Sequence, residues 1–123
     1  MKSVLVIDFN FEIRENTAEL LSVSGFHVYK ASNGEEGFRI AKNHIPDLII
    51  CDIMIPETDG ITFYRLAKND KETAGIPIIF FTASPIDQLR ITKHVDTDNN
   101  LFLSKPFTKR SLINAVHTSL NIN

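Results

Sequence analysis

The sequence predicts an α/β domain in which a parallel sheet of five strands lies between two layers of helices. Two observations support this prediction. Three short runs, at 4–7, 48–51 and 76–81, are apolar throughout, as expected of strands that are buried on both faces of a parallel sheet. Segments with helical spacing alternate with these and other strand-like segments, which is the pattern of repeated strand–helix units.

The first half of the chain also contains two predicted helices and one further predicted strand. Helical spacing over 13–21 predicts a helix that ends at Gly25. Residues 26–31 show mixed alternation, which suits a strand at the edge of the sheet. Asn33, with Glu36 three residues later, resembles a capping box at the start of a second helix. The predicted inner face of that helix consists of Gly37, Phe38 and Ala41.

The second half continues the alternation. Turn residues at 56–60 precede a third helix, and a weak helix is predicted from about Ile86 to Lys93. A polar, Asn-rich turn at 98–100 leads to a short strand at 101–103. Thr108 is predicted to cap the final helix. The apolar residues assigned to the third and final helices are Phe63, Leu66 and Ala67, and Leu112, Ala115, Val116 and Leu120.

Right-handed crossovers leave few arrangements for five strand–helix units. The strand order 2-1-3-4-5 places strands 1, 3 and 4 in the middle of the sheet, where the three fully apolar runs belong. We therefore predict a single three-layer (βα)5 domain over residues 1–123 with a flavodoxin-like sheet.

Composition excludes several function classes. The chain has 123 residues and a formal net charge of −2, so it presents no global basic field for nucleic acid. The single cysteine, Cys51, lies in an apolar run and is predicted to be a buried core thiol. No apolar stretch is long enough to cross a membrane, and the N-terminus lacks a signal-peptide pattern. A cytoplasmic location is the expectation.

Four polar residues are predicted to follow or end strands 1, 3, 4 and 5. They are Asp8, Asp52, Thr82 and Lys105. In an open parallel sheet, ligands bind beyond the carboxyl ends of the strands, so these side chains are expected to converge. A carboxylate can accept a phosphoryl group, a lysine can balance its charge, and Mg²⁺ prefers carboxylate ligands. The set therefore indicates phosphoryl transfer.

The ordered set of motifs resembles the receiver domain of two-component response regulators over essentially the whole chain. The matching segments are 4–8 with Arg14, 47–52, Pro56 with 59–60, 77–83 and 105–107.

The resemblance implies a role for each site residue. Asp52 would accept phosphate from a partner histidine kinase or phosphotransfer protein. Mg²⁺ would be held by Asp8, Asp52 and the backbone carbonyl of Met54. Thr82 and Lys105 would contact the phosphoryl group, and Phe102 would act as a rotating switch. The Lys105–Pro106 bond is expected to be cis.

The resemblance also implies what the domain does with its phosphate. We expect self-phosphorylation and autodephosphorylation rather than enzymatic turnover. Output, and a homodimer, would use the last two helices and the last strand.

One position departs from the family pattern. Receiver domains usually carry two adjacent acids after the first strand, whereas this chain has Asp8 followed by Phe9. The pocket then has a formal charge of −1 instead of −2, which weakens Mg²⁺ binding. Several interpretations of the phenylalanine at this position remain open. Asn10 could supply an amide oxygen, Lys105 could bridge Asp8 and Asp52 while Phe9 covers the site, or Phe9 could be a tolerated substitution.

Other function classes fit the residues less well. A dehalogenase-type phosphatase needs a second aspartate where Met54 stands, and an FMN carrier needs a small, hydroxyl-rich loop in place of 8–11. The remaining alternative is a degenerate receiver that acts as a phosphate-independent protein-binding module. The four histidines, His27, His44, His94 and His117, show no metal-ligand spacing.

Overall fold

The structure, a computed structural model, describes residues 1–53, 60–83, 92–93, 95–96 and 100–122. Its strands are β1 (Ser3–Ile7), β2 (His27–Ala31), β3 (Leu48–Asp52), β4 (Ile78–Thr82) and β5 (Asn100–Ser104). Its helices are α1 (Phe11–Val23), α2 (Gly34–His44), α3 (Gly60–Lys68) and α4 (Lys109–Leu120). The turn predicted at 56–60 and the weak helix predicted from Ile86 to Lys93 lie mostly outside the described residues.

The five strands form one parallel sheet in the order β2-β1-β3-β4-β5, which confirms the predicted order. The three apolar runs form the central strands β1, β3 and β4. Nearly all of their residues are buried, because helices cover both faces of the sheet. β2 lies at one edge of the sheet, as its mixed composition predicted.

Helices α1 and α4 pack on one face of the sheet. Successive side chains of a strand point to opposite faces, so alternate residues of each central strand enter this layer. The helices contribute Leu21, Leu112 and Val116 to it, and the central strands contribute Val4, Val6, Leu48, Ile50, Ile79 and Phe81. Ala115 and Leu120 pack against the same cluster, which confirms the predicted stripe of the final helix.

Helices α2 and α3 cover the opposite face. Gly37 and Ala41 of α2 are buried and Phe38 is half-buried, as predicted. For α3 the prediction is partly wrong, because Leu66 is 42% exposed. The buried side of α3 is centred on Gly60, Tyr64 and Ala67, and Leu66 lies on the other side of the helix.

Local sequence signals set the helix ends. Helix α1 ends before Gly25, whose φ of 97° is a backbone conformation that favours glycine. The Asn33 side chain accepts a hydrogen bond from the Glu36 N–H at 2.8 Å, which caps α2. The Glu36 carboxylate accepts from the Ser32 N–H rather than from that of Asn33, so the predicted box is shifted by one residue. Thr108 and Ser111 form a complete capping box on α4.

Asn100 was predicted to lie in a turn, and this prediction is wrong. It is the first residue of β5 and is only 2% exposed. Its side-chain oxygen accepts from the Ile78 N–H at 3.0 Å, and its amide donates to the Asp96 carbonyl at 2.6 Å. The Asp96 N–H in turn donates to the Tyr64 hydroxyl at 3.0 Å. Asn100 thus ties the starts of β4 and β5 to α3 through one buried amide.

Within the part of the chain that the structure describes, no helix has the length and apolar character needed to cross a bilayer.

Candidate functional site

Two aspartates lie side by side at the carboxyl edge of the sheet. Asp52 ends β3, and Asp8 immediately follows β1. The parallel register pairs Ile7 with Cys51, so the two aspartates that come next are level with each other. Asp8 is 0% exposed and Asp52 is half-buried. Two carboxylates at this depth need a compensating positive charge.

Lys105 supplies that charge by bridging the two carboxylates. Its ammonium nitrogen Nζ lies 2.9 Å from Asp8 Oδ2 and 3.0 Å from Asp52 Oδ2. The direct bridge from Lys105 to Asp8 and Asp52, which was one of several possibilities at the level of sequence, is therefore present. Burial of the ammonium lowers the pKa of Lys105. The hydrogen bonds and charges of Asp8 and Asp52 outweigh that effect and raise this pKa above its ordinary value. Lys105 is consequently a fixed cation at neutral pH.

The second carboxylate oxygen of Asp8 is held by the loop that follows β1. Asp8 Oδ1 accepts a hydrogen bond from the Asn10 N–H at 3.0 Å. The Asn10 side-chain oxygen accepts from the Ile13 N–H at 3.0 Å and caps α1. The suggestion that this amide oxygen is a metal ligand is therefore not supported, because it is used by the helix. The Arg14 guanidinium also stabilises this loop, because it donates a hydrogen bond to the Asp8 carbonyl at 3.0 Å.

Two aromatic rings pack next to the Lys105 ammonium. Its ammonium lies 5.5 Å from the centroid of the Phe81 ring, and Phe107 stacks on Phe81 at 4.8 Å. The Lys105–Pro106 peptide bond is cis, as the resemblance implied. The Lys105 N–H donates to the Thr82 carbonyl at 2.8 Å, and this bond holds the backbone from which the lysine side chain reaches both carboxylates.

Thr82 and Phe102 lie on neighbouring strands. Thr82 is buried at the end of β4, where it pairs with Ser104 in the register of the sheet. Phe102 is half-buried and stacks on Phe80, with ring centroids 5.9 Å apart. Strand alternation directs the side chains of Phe80 and Thr82 to the same face of the sheet. The structure thus places the predicted hydroxyl and the predicted switch aromatic on one side of β4.

A cleft of about 490 Å³ opens beside the bridging lysine. Helix α1 forms one wall, and the segment after β5 forms the other. The lining residues are Glu12, Ile13, Asn16, Lys105, Pro106 and Phe107. Lys105 therefore connects the aspartate pair to this surface depression.

Comparisons with known proteins agree with this geometry. A model of the response regulator receiver domain matches residues 4–117. The chain belongs to this family. As a receiver domain, it is 33% identical over 112 residues to the phosphate regulon transcriptional regulatory protein PhoB of Pseudomonas aeruginosa, covering 91% of this chain and 48% of that protein.

Two further matches cover almost the full length of both chains. The polar-differentiation response regulator DivK of Brucella anthropi is 31% identical over 121 residues, covering 97% of this receiver domain and 96% of that protein. A crystal structure of a response regulator receiver domain protein from Clostridium thermocellum has a TM-score of 0.83 at 28% identity, with coverages of 98% and 95%. The chain spans about half the length of the first curated relatives that it matches.

Phe9 is the residue at which the resemblance to receiver domains led us to expect a second acid. Its side chain is 63% exposed and projects largely into solvent. The possibility that this ring covers the site is therefore not supported. The burial of Asp8 comes from its own surroundings instead, since one of its oxygens faces Lys105 and the other faces the loop backbone.

The receiver-domain pocket fits a magnesium ion only in part. Two carboxylates, Asp8 and Asp52, lie together, and Mg²⁺ accepts one or two carboxylates with water completing its shell. The third predicted ligand, the carbonyl of Met54, lies outside the described residues. Across the described ranges, no group of three or more histidine, cysteine, aspartate or glutamate side chains is placed to hold a metal. His27 and His44 are exposed and His117 is half-buried, while His94 is not described.

Several supports of the site were not predicted. The Phe81–Phe107 stack beneath Lys105 was missed, although both residues stood inside motifs that the sequence had singled out. The contribution of the Asn10 backbone N–H was missed because a backbone donor leaves no signal in residue type. Cys51, in contrast, is buried as predicted.

Proposed function

We propose that this receiver domain accepts a phosphoryl group on Asp52 from a partner histidine kinase or phosphotransfer protein. The observation that carries the proposal is the position of Asp52. It ends a central strand, it is reachable from solvent, and a lysine ammonium lies 3.0 Å from its carboxylate. A carboxylate in that position is a nucleophile with a cation already beside the atoms on which negative charge builds.

The reaction needs little from the protein beyond position and charge. A carboxylate oxygen of Asp52 forms the new O–P bond while the P–N bond of a phosphohistidine breaks. The bonding electrons remain on the imidazole nitrogen, which takes up a proton. Lys105 offsets charge on the phosphoryl oxygens, and the Thr82 hydroxyl donates to one of them.

Magnesium belongs to the proposal because receiver domains generally bind it in the active site. When bound, it neutralises charge on the phosphoryl oxygens. Asp8, Asp52 and the Met54 carbonyl would hold it here. We infer that its binding is weaker than in receivers with two adjacent acids. Phe9 removes one carboxylate, and Lys105 already contacts both of those that remain.

Output is proposed to run through the surface formed by β5, α4 and the helix predicted at 86–93. Movement of Thr82 toward a phosphoryl oxygen would free space for Phe102, which stacks on Phe80 in the present state. Phosphorylation would then favour one of two pre-existing conformations through these differential contacts. A homodimer through the same surface is part of the proposal, since β5 forms an edge of the sheet.

The test is the intact mass of the protein after incubation with acetyl phosphate across a Mg²⁺ titration. The proposal predicts a metal-dependent increase by the mass of one phosphoryl group, and no increase for Asp52→Ala. Absence of the adduct at every Mg²⁺ concentration, in a folded protein, would refute phosphoacceptor function.

A second candidate function is a phosphate-independent protein-binding module. The bridge from Lys105 to both carboxylates favours it, because one ammonium already holds both side chains in place and offsets part of their charge without metal or phosphate. This candidate predicts that Asp52→Ala leaves affinity for a physiological partner unchanged. The phosphoacceptor proposal predicts instead that affinity changes when acetyl phosphate is added to the wild type and not when it is added to Asp52→Ala.

A further inference from the structure

Asp8 is held at each of its four polar atoms. Its N–H donates to the Ala31 carbonyl at 3.1 Å, and its carbonyl accepts from Arg14 Nη1 at 3.0 Å. Its carboxylate accepts from the Asn10 N–H through Oδ1 at 3.0 Å and from the Lys105 ammonium through Oδ2 at 2.9 Å. Arg14 is therefore one of the side chains that hold this aspartate, although the proposed phosphoryl transfer assigns it no role.

Arg14 also contacts the peptide unit that supports the Asp8 carboxylate. Its Nη1 atom donates to the Phe9 carbonyl at 3.4 Å. The Phe9 C=O and the Asn10 N–H belong to the same planar, trans peptide unit and point in opposite directions. A hydrogen bond to the carbonyl on one side thus fixes the direction of the N–H on the other side. That N–H is the donor to Asp8 Oδ1, so Arg14 acts on the carboxylate through one rigid peptide.

The surroundings of Arg14 keep its guanidinium in this place. The Arg14 backbone is fixed in α1, where its N–H donates to the Asn10 carbonyl at 2.9 Å. The side chain is only 16% exposed, and Glu15 lies 3.7 Å from its Nε atom. A long side chain that is largely buried and held at both ends has lost most of its rotamer freedom. The loop at 8–10 is therefore ordered before a metal binds.

Charge and position make opposite predictions for Arg14. A guanidinium is always positively charged, so by its charge alone it repels a divalent cation at the neighbouring aspartates. Removal of Arg14 would then tighten metal binding. If Arg14 instead holds Asp8 in the orientation that a metal needs, its removal would weaken metal binding, because the carboxylate loses its fixed direction. The sign of the change in metal affinity therefore separates the two roles.

We propose that Arg14 is a positioning residue for divalent-cation binding, because it orients the loop at 8–10 so that the Asp8 carboxylate is in place for a metal. The inference rests on the proposed function, in which Asp8 and Asp52 hold Mg²⁺. The orientation of Asp8 matters more in this chain because Phe9 supplies no carboxylate to the site.

The experiment measures Mn²⁺ binding by electron paramagnetic resonance of the free ion, with no phosphoryl donor present. Mn²⁺ favours the same oxygen ligands as Mg²⁺. Arg14→Met is expected to bind Mn²⁺ about tenfold more weakly than the wild type. Arg39→Met removes the same charge from an exposed position on α2, which covers the opposite face of the sheet, and is expected to change affinity little. Unchanged or tighter binding by folded Arg14→Met, or an equal loss in Arg39→Met, would overturn the proposal.

Arg14→Lys tests whether the hydrogen bonds to the loop carry the effect. Both bonds leave from a single nitrogen, Nη1, and a lysine ammonium offers a single nitrogen donor with the same charge. This variant is expected to lose less Mn²⁺ affinity than Arg14→Met. An equal loss in the two variants would contradict a role for these hydrogen bonds.

Hydrogen exchange in the unmutated protein covers the case in which Arg14→Met does not fold. The Asn10 N–H is expected to be protected from exchange in the metal-free wild type, because Arg14 already orients its peptide unit. Exchange at the rate of an unstructured chain would overturn the proposal, since the loop would then not be held. Because no measurement uses acetyl phosphate, failure here is distinct from failure of phosphorylation.

Discussion

Individual residues show how local contacts set the chemistry of charged groups in this domain. Asp70, in the loop after α3, accepts a hydrogen bond from Lys42 Nζ at 2.6 Å and another from the Glu72 N–H at 2.9 Å. The Lys42 hydrogen bond is the largest cause that holds the pKa of the Asp70 carboxyl below its ordinary value, and the Glu72 N–H adds to it. The same hydrogen bond with Asp70 is the largest cause that raises the pKa of Lys42 above its ordinary value.

This pair gives a prediction about pH. A lowered carboxyl pKa means that the pair stabilises the fold above the ordinary pKa of aspartate. That contribution is lost as the pH falls through the lowered value. In a carboxyl NMR titration, Lys42→Met is expected to return the Asp70 pKa only part of the way to normal, because the Glu72 N–H remains. The shift should shrink with added salt, since the pair lies at the surface and is only partly buried. Lys71→Met, a neighbouring exposed charge, serves as the control, and an equal effect from it would contradict the assignment.

Asn100 shows a limit of residue-level prediction. An asparagine after two polar residues is typical of a turn, and residue type alone favours that interpretation. In the fold its side chain bonds to the Ile78 N–H and to the Asp96 carbonyl, which lie 22 and 4 residues away. Such a role is created by the packing of two strands, so it leaves no local pattern in the sequence.

At the scale of helices and strands, the approach of α3 to the end of β3 limits which side chains fit next to the site. A Cβ at Gly60 would lie 2.8 Å from the Ile53 Cα and 3.2 Å from the Asp52 carbonyl oxygen. Both neighbours are backbone atoms and cannot move aside as a flexible side chain can. The glycine therefore allows α3 to begin directly against the strand that carries Asp52.

Gly60→Ala is accordingly expected to lower the free energy of unfolding by about 1–3 kcal/mol. The measurement is chemical denaturation of the variant and the wild type. Gly75→Ala is a matched control, because a Cβ there meets no atom within 4 Å. That variant is expected to be neutral or more stable by about 0.4–1 kcal/mol through a less flexible unfolded chain. Similar losses in both variants would show that the close approach is not the cause.

The helices and strands themselves were largely predictable. Runs of Ile, Val, Leu and Phe without a polar break identified the central strands, and the Asn33 and Thr108 caps marked two helix starts. The orientation of α3 was harder to predict, because Leu66 is as apolar as the residues that face the core. Its exposure depends on which side of the helix the sheet covers, and a nine-residue helix offers few positions from which to determine that.

At the scale of the whole molecule, the sheet order explains why a few residues from distant parts of the chain form one site. Neighbouring parallel strands bring Asp8 and Asp52 together, and the crossover to β5 adds Lys105 from 53 residues beyond Asp52. This convergence could be predicted, since the carboxyl ends of parallel strands share one edge. The position of the Phe9 side chain could not be predicted, because Phe9 lies in a loop where no strand or helix periodicity applies.

We propose that Asp52 is correctly placed to accept phosphate and that Phe9 limits the metal support of this aspartate. The most direct test is the Mg²⁺ dependence of phosphoryl uptake from acetyl phosphate in Phe9→Asp and in the wild type. Phe11→Asp is the matched control. Phe11 is 65% exposed against 63% for Phe9, and its replacement adds the same charge two residues away.

Phe9→Asp is expected to reach half-maximal uptake at a Mg²⁺ concentration about tenfold lower than the wild type, while Phe11→Asp resembles the wild type. Equal Mg²⁺ dependence in Phe9→Asp and the wild type would contradict it.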